Sequence, residues 1–166
     1  MDADPARQGQ QVAVQFLEHA LALFADLTQS TAWSALAVPA AEARREWQVF
    51  ALYACVRGLV AGGGFNIETA SAIDALHESV MERWASSLEA GESLAARRAL
   101  IAARYQEYGA IGQAGGKSGA ASVTQRLGEA AARHMTGAEP SPEIAELIGA
   151  LHEELAEAVA AQVRGE

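Results

Sequence analysis

The stretch WQVFALYACVRGLVAGGG (47–64) decides the fold. After Trp47 it is apolar on nearly every side of a helix, and three glycines close it. A helix that is apolar all round is surrounded by other elements rather than packed along one stripe. Gln48 and Arg57 interrupt the apolar run, which does not suit a segment that crosses a bilayer. The stretch therefore predicts the central helix of an all-α domain, ended by its glycines.

The composition of the whole chain agrees with a helical fold. Apolar residues make up 51% of the 166 residues and are dominated by alanine, the strongest helix former. Aromatic residues, which suit a pleated sheet, make up only 6%. A chain of this length buries a sufficient core as one unit. We therefore expect a single helical domain over residues 1–166.

Apolar residues recur at three-and-four spacing in six segments, which predicts a bundle of about six helices with an up-down-like arrangement. The expected helices cover about 10–27, 41–61, 66–88, 94–111, 120–135 and 142 onward, with a short turn around Trp33. Asn66 or Thr69, Ser93 and Ser141 are the expected N-caps. Residues 1–8 are expected to form a loose tail and residues 112–119 a flexible, glycine-rich loop. With GGG (62–64), this gives the bundle two glycine-rich connections.

The segment IGQAGGKSGAAS (111–122) has the appearance of a phosphate-binding loop. A P-loop requires a glycine five residues before Gly116, directly after a strand. That position is Ile111, and the preceding residues continue a helix. The segment is therefore interpreted as a helix–helix connection. In an up-down bundle both glycine-rich connections share one end, where helix N-termini attract anions. Arg57, Tyr108 and Lys117 are the residues expected to approach an anion there.

Two histidines fall on apolar stripes and suggest a metal site. His19 lies on the stripe of the first predicted helix, and His77 lies on that of the third, with Asp74 three residues before it. Imidazole and carboxylate together suit several metals. Only one Asp/Glu-x-x-His pattern is present, whereas a ferritin-like dimetal centre needs two, so the sequence does not favour such a centre. A mononuclear site of His19, His77 and Asp74 stands as one hypothesis, and two hydrogen-bonded structural histidines as the other.

Charge and cysteine content restrict the partners. The formal net charge of −9 argues against a nucleic-acid partner and against anionic membranes. The N-terminal sequence lacks the pattern of a signal peptide. Cys55 is the single cysteine, which fits a reducing compartment, and its apolar neighbours predict an inert, buried thiol. These features lead us to expect a cytoplasmic protein.

Three functions remain open at this point. The first is a non-catalytic interaction or regulatory protein that self-associates, as a dimer, with no cofactor; three tryptophans could anchor its interface. The alternative is a bundle that binds a small apolar or anionic ligand through Arg57, Tyr105, Tyr108 and Lys117. The second alternative is a metal-dependent enzyme that uses His19, His77 and Asp74. An internal cavity would favour the ligand binder, and a filled core the interaction protein.

Overall fold

The computed structural model describes residues 4–115 and 120–166, which form helices and no strand. The all-α bundle predicted from the sequence is confirmed. The helices are α1 (Pro5–Gln29), α2 (Thr31–Ser34), α3 (Ala40–Gly63), α4 (Ile67–Ala85), α5 (Leu94–Gly115), α6 (Ala120–Thr136) and α7 (Pro142–Arg164). Within these described ranges, no helix combines the length and the apolarity that a bilayer-crossing segment needs.

Side-chain caps set several helix starts, as the sequence signals indicate. Asn66 Oδ1 accepts from the backbone N–H of Thr69 at 2.8 Å, and Ser93 Oγ accepts from Ala96 at 3.1 Å. Ser141 caps α7 in the same way and Pro142 follows at the first helical position. Each cap satisfies one of the backbone donors that a helix start leaves free. Of the two cap candidates for α4, Asn66 is therefore the correct one.

Three predicted boundaries were wrong. Helix α1 begins at Pro5, so residues 5–8 are helical rather than part of a loose tail, because the Asp4 side chain accepts from the backbone N–H of Ala6 at 3.1 Å. Helix α4 ends at Ala85 rather than near Leu88, where Ser86 Oγ donates to the carbonyl of Arg83. Helix α5 extends to Gly115, so residues 112–115 of the predicted loop are helical. The remainder of that loop, 116–119, lies outside the described residues.

The helices α1, α3, α4, α5, α6 and α7 alternate in direction, as an up-down bundle requires. Helices α3 and α5 run parallel, because Arg45 meets Glu92 near both starts and Tyr53 meets Tyr105 further along both. Helix α3 packs against α1, α4, α5, α6 and α7. It is therefore the central helix, as its all-round apolar sequence predicted.

Small residues bring parallel helices unusually close. Gly58 of α3 lies against α7 so closely that a Cβ there would sit 2.5 Å from the carbonyl oxygen of Ala156 and 2.6 Å from Cβ of Val159. Gly9 of α1 approaches the backbone of Ala72 on α4 in the same way. Backbones can approach to this distance only where a side chain is missing. At these positions the α3–α7 and α1–α4 pairs are consequently in direct contact through small residues.

Candidate functional site

The turn between α3 and α4, residues 62–67, holds the most exposed large apolar side chains of the described chain. We call it the apolar turn. Phe65 is 95% exposed and Ile67 is 77% exposed. Isolated apolar side chains on a surface are common, but two bulky ones so fully exposed on neighbouring positions form a small patch. The patch projects from the end of the central helix.

Local hydrogen bonds hold the apolar turn in this shape. Gly64 has φ +82°, a left-handed conformation that favours glycine, and its N–H donates to the carbonyl of Val60 at 2.8 Å. Asn66 Nδ2 donates to the carbonyl of Gly63 at 2.8 Å while its Oδ1 caps α4. The turn is thus closed on both sides by its own backbone and Asn66. In this closed turn the side chains of Phe65 and Ile67 lie in solvent.

The apolar turn is also uncharged. No charged residue occurs between Arg57 and Glu68, in a chain whose formal net charge is −9. Behind the turn, Gly62 packs against Val163 near the end of α7, where a Cβ would lie 2.7 Å from Cβ of Val163. This contact supports the base of the turn and leaves its tip free. The result is a rigid, neutral, apolar projection on an acidic molecule.

The residues predicted to bind a ligand are not arranged around one open pocket. Tyr108 is fully buried, and its hydroxyl has no hydrogen-bond partner among the described residues. Tyr105 lies beside it, and both rings contact that of Tyr53, at 5.1 and 5.5 Å between centroids. Arg57 is on the surface, paired with Glu153 at 3.0 Å. Lys117 lies outside the described residues.

His77 is a structural histidine joined to Tyr105. Its Nδ1 lies 2.9 Å from the carbonyl oxygen of Ile73, so that nitrogen carries the proton and donates. Nε2 is then an acceptor, and the hydroxyl of Tyr105 donates to it at 2.8 Å. Burial lowers the pKa of His77, against weaker opposing effects of Ile73 and Asp74, which favours this neutral form. Both nitrogens are occupied, so neither is free to bind a metal.

His19 does not join His77 and Asp74. It is exposed on α1 rather than buried on its core stripe, because the residues that face the core there are in a neighbouring row, Phe16 and Ala20. Among the residues that the structure describes, no three histidine, cysteine or acidic side chains are grouped as metal ligands. The predicted metal site of His19, His77 and Asp74 is therefore not assembled.

Two broad grooves lie on the surface, and neither contains the predicted ligand residues together. One, of about 770 Å³, lies between α6 and α7 and is lined by Glu129, Glu139 and Glu146 among others. The other, of about 660 Å³, lies between α4 and α5; His77 and Asp74 line it, with Glu78 and Glu82. Arg98 also lines the second groove, but acidic residues predominate in both linings, which does not suit the anionic ligand expected from the sequence.

Cys55 is a buried thiol, as predicted. It is completely inaccessible within the core. Burial raises the pKa of Cys55 to about 12, so the thiolate that would act as a nucleophile does not form at neutral pH.

His152 is the polar residue that the sequence reasoning missed. It is fully buried on α7, at the contact with α3. Its position was visible in the sequence, because it lies four residues after Ile148 and three before Leu155, both on the predicted core face. The residue three positions before His152 is Gly149, so it has no Asp/Glu-x-x-His spacing.

Comparison with known proteins gives no guide to the function. No protein-family model matches the chain, and searches of curated proteins and of solved structures found no match.

Proposed function

We propose that this chain is a non-catalytic interaction protein that self-associates as a two-fold dimer through the apolar turn. The observation that carries the proposal is the exposure of Phe65, at 95%, on a turn whose own hydrogen bonds hold it outward. A bulky aromatic side chain on a rigid support is typical of the anchor at the centre of a protein interface. Fully burying one such side chain is worth about 1.5–3 kcal/mol.

A second copy of the chain is the partner that the charge distribution favours. In a two-fold dimer the same patch meets itself, so every charge near the axis faces its own copy. Because the net charge of the chain is −9, electrostatic repulsion opposes a contact between two copies through their acidic faces. The apolar turn avoids this cost because residues 58–67 carry no charge.

The outer face of α1 is a less suitable surface for the same purpose. Val14 and Leu21 are exposed there, at 55% and 45%. Glu18 lies between them on the same face and is also exposed. A two-fold contact across this face would place the two Glu18 carboxylates near each other. These residues therefore serve as a matched apolar control for the apolar turn.

The expected dimer is weak. Phe65 and Ile67 supply the centre of a contact, whereas stable interfaces bury about 800 Å² on each partner. We therefore expect a dissociation constant in the micromolar range, with neighbouring polar residues completing the rim. The location that we propose, the cytoplasm, depends on the single cysteine and on sequence alone.

Sedimentation velocity over a range of concentrations tests the proposal. The wild-type chain is expected to shift from monomer to dimer at micromolar concentration. The double variant Phe65→Ser/Ile67→Ser should remain monomeric, because the apolar anchor is lost while the turn backbone is kept. The control Val14→Ser/Leu21→Ser removes a similar pair of apolar side chains from α1 and should still dimerise.

Two results would overturn the proposal. One is a wild-type chain that stays monomeric at concentrations of several hundred micromolar. The other is a dimer that the α1 control disrupts and the apolar-turn variant leaves intact. Circular dichroism of all three proteins would establish that the helices are retained, so that a lost dimer is not mistaken for a lost fold.

A further inference from the structure

His152 occupies an unusual position at the α3–α7 contact. The side chain is 0% exposed, and its ring stacks on Phe50 with centroids 4.0 Å apart and planes at 23°. Tyr53 lies on the same helix as Phe50, with its ring centroid 6.1 Å from that of His152. Within the described residues, neither Nδ1 nor Nε2 of His152 has a hydrogen-bond partner. Most buried polar side chains have at least one hydrogen-bond partner. A buried imidazole that has none is disfavoured in its charged form, so the surroundings of His152 favour the neutral ring.

The charges around His152 also oppose a proton. Burial first, and then the positive charge of Arg57, lowers the pKa of His152 well below its usual value. The backbone of Phe50 acts in the opposite direction but does not meet the ring in hydrogen-bonding geometry. Arg57 is fixed nearby through its ion pair with Glu153, at 3.0 Å.

The other titratable groups on the helices around His152 do not change the preference of its ring for the neutral form. Helix α2 has none. Helix α3 presents Tyr53, and α5 presents Tyr108 on the far side of Phe50, both as neutral phenols whose pKa values burial raises. The charged and titratable residues of the other two neighbours are Arg7, Glu18, His19 and Asp26 on α1, which are exposed, and Arg126, Glu129, Arg133 and His134 on α6, which are exposed or half-buried.

We propose that His152 makes the α3–α7 contact an acid-sensitive device, closed while the ring is neutral and opened when the ring takes up a proton. A protonated imidazole has two donors that require partners, and the closed contact supplies none. Water can reach the ring only if α7 separates from Phe50. The close approach at Gly58 leaves no room for a smaller adjustment, since packed helices have discrete arrangements rather than a continuous range.

The direction of the effect follows from proton linkage. An open form holds His152 near its ordinary pKa of about 6.5, whereas the closed form does not bind the proton at that pH. Above about pH 6.5 both forms are neutral at this residue and the closed form keeps its full stability. As the pH falls below 6.5, the population of the open form relative to the closed form increases, by up to about tenfold per pH unit. The inference does not depend on the proposed self-association.

Hydrogen exchange on the full chain at pH 7.5, 6.5 and 5.5 tests the device. After correction for the intrinsic exchange rate, protection of residues 149–156 should fall up to about fivefold between pH 6.5 and 5.5. His152→Phe keeps an aromatic ring against Phe50 and should abolish most of this fall. His19→Phe changes an exposed histidine and should retain it. Equal pH dependence in wild type and His152→Phe would overturn the proposal.

A measurement on the wild type keeps the proposal testable if His152→Phe does not fold. Ring carbon and proton signals of the histidines can be followed by NMR from pH 7.5 to 5.5. We expect the His152 ring of the closed form to stay neutral over this range. A His152 ring that titrates near pH 6.5, with residues 149–156 still protected, would contradict the device.

Discussion

A phenylalanine in the middle of α3 and one in the turn that follows the helix differ completely in burial. Phe50, in the middle, is fully buried and its ring contacts those of Trp47, Tyr108 and His152. Phe65, in the turn that follows the helix, is almost fully exposed. Five helices pack against α3, whereas Phe65 and Ile67 in the apolar turn remain exposed. The difference shows that apolar character alone does not place a side chain, since burial depends on which neighbours reach it.

The largest expected difference is between two phenylalanine truncations. Phe50→Ala should lower the free energy of unfolding by about 3–5 kcal/mol, because it removes a buried ring and leaves a cavity. Phe65→Ala should change it by less than about 0.5 kcal/mol, as for other surface substitutions. Urea unfolding monitored by circular dichroism measures both, at a concentration where the chain is monomeric. A loss of several kcal/mol for Phe65→Ala would mean that Phe65 packs within the fold.

Substitution of Gly58 tests the contact that buries the middle of α3. Gly58→Ala should destabilise the fold by about 1–3 kcal/mol, because its Cβ would meet the carbonyl oxygen of Ala156 and the helices would have to separate. The loss arises despite the better helix propensity of alanine. Thermal unfolding would show it as a lower Tm. An unchanged or higher Tm would contradict the close α3–α7 approach.

A smaller effect than that of Gly58→Ala, and one of opposite sign, is expected from a matched glycine on α5. Gly109 is helical, and a Cβ added there would meet nothing within 4 Å. Gly109→Ala should therefore stabilise the fold by about 1 kcal/mol, through helix propensity and a more restricted unfolded chain. The same thermal measurement applies. A destabilised Gly109→Ala would show that α5 has a close neighbour at this position.

The central helix could be predicted because the sequence features that indicate it lie within the helix or within one turn of its ends. The run after Trp47 is apolar on every side, and Asn66, Ser93 and Ser141 are cap signals that act within one turn. The exposure of His19 could not be predicted in the same way. The three-and-four spacing of His19 fits the apolar stripe of α1. Helix α1, however, packs closely against α4 at Gly9, and in this orientation a neighbouring row of residues is buried.

The pairing of α3 with α7 was also beyond the sequence. About a hundred positions separate Arg57 from Glu153 along the chain, and nothing local in either segment points to the other. The unpartnered state of His152 depends on this pairing. The burial of His152, however, could be predicted from its place between Ile148 and Leu155 on the apolar stripe of α7.

Site-directed cross-linking is the most direct test that the apolar turn is the surface of self-association. Cys55 is buried with a raised pKa, so one introduced cysteine is the only reactive thiol on the described surface. Glu68→Cys places that thiol beside the apolar turn and leaves Phe65 and Ile67 in place; Glu18→Cys places it on the exposed face of α1. With a short bismaleimide at micromolar protein, we expect a covalent dimer from Glu68→Cys and little from Glu18→Cys. Equal yields, or a dimer from Glu18→Cys alone, would contradict the proposed surface.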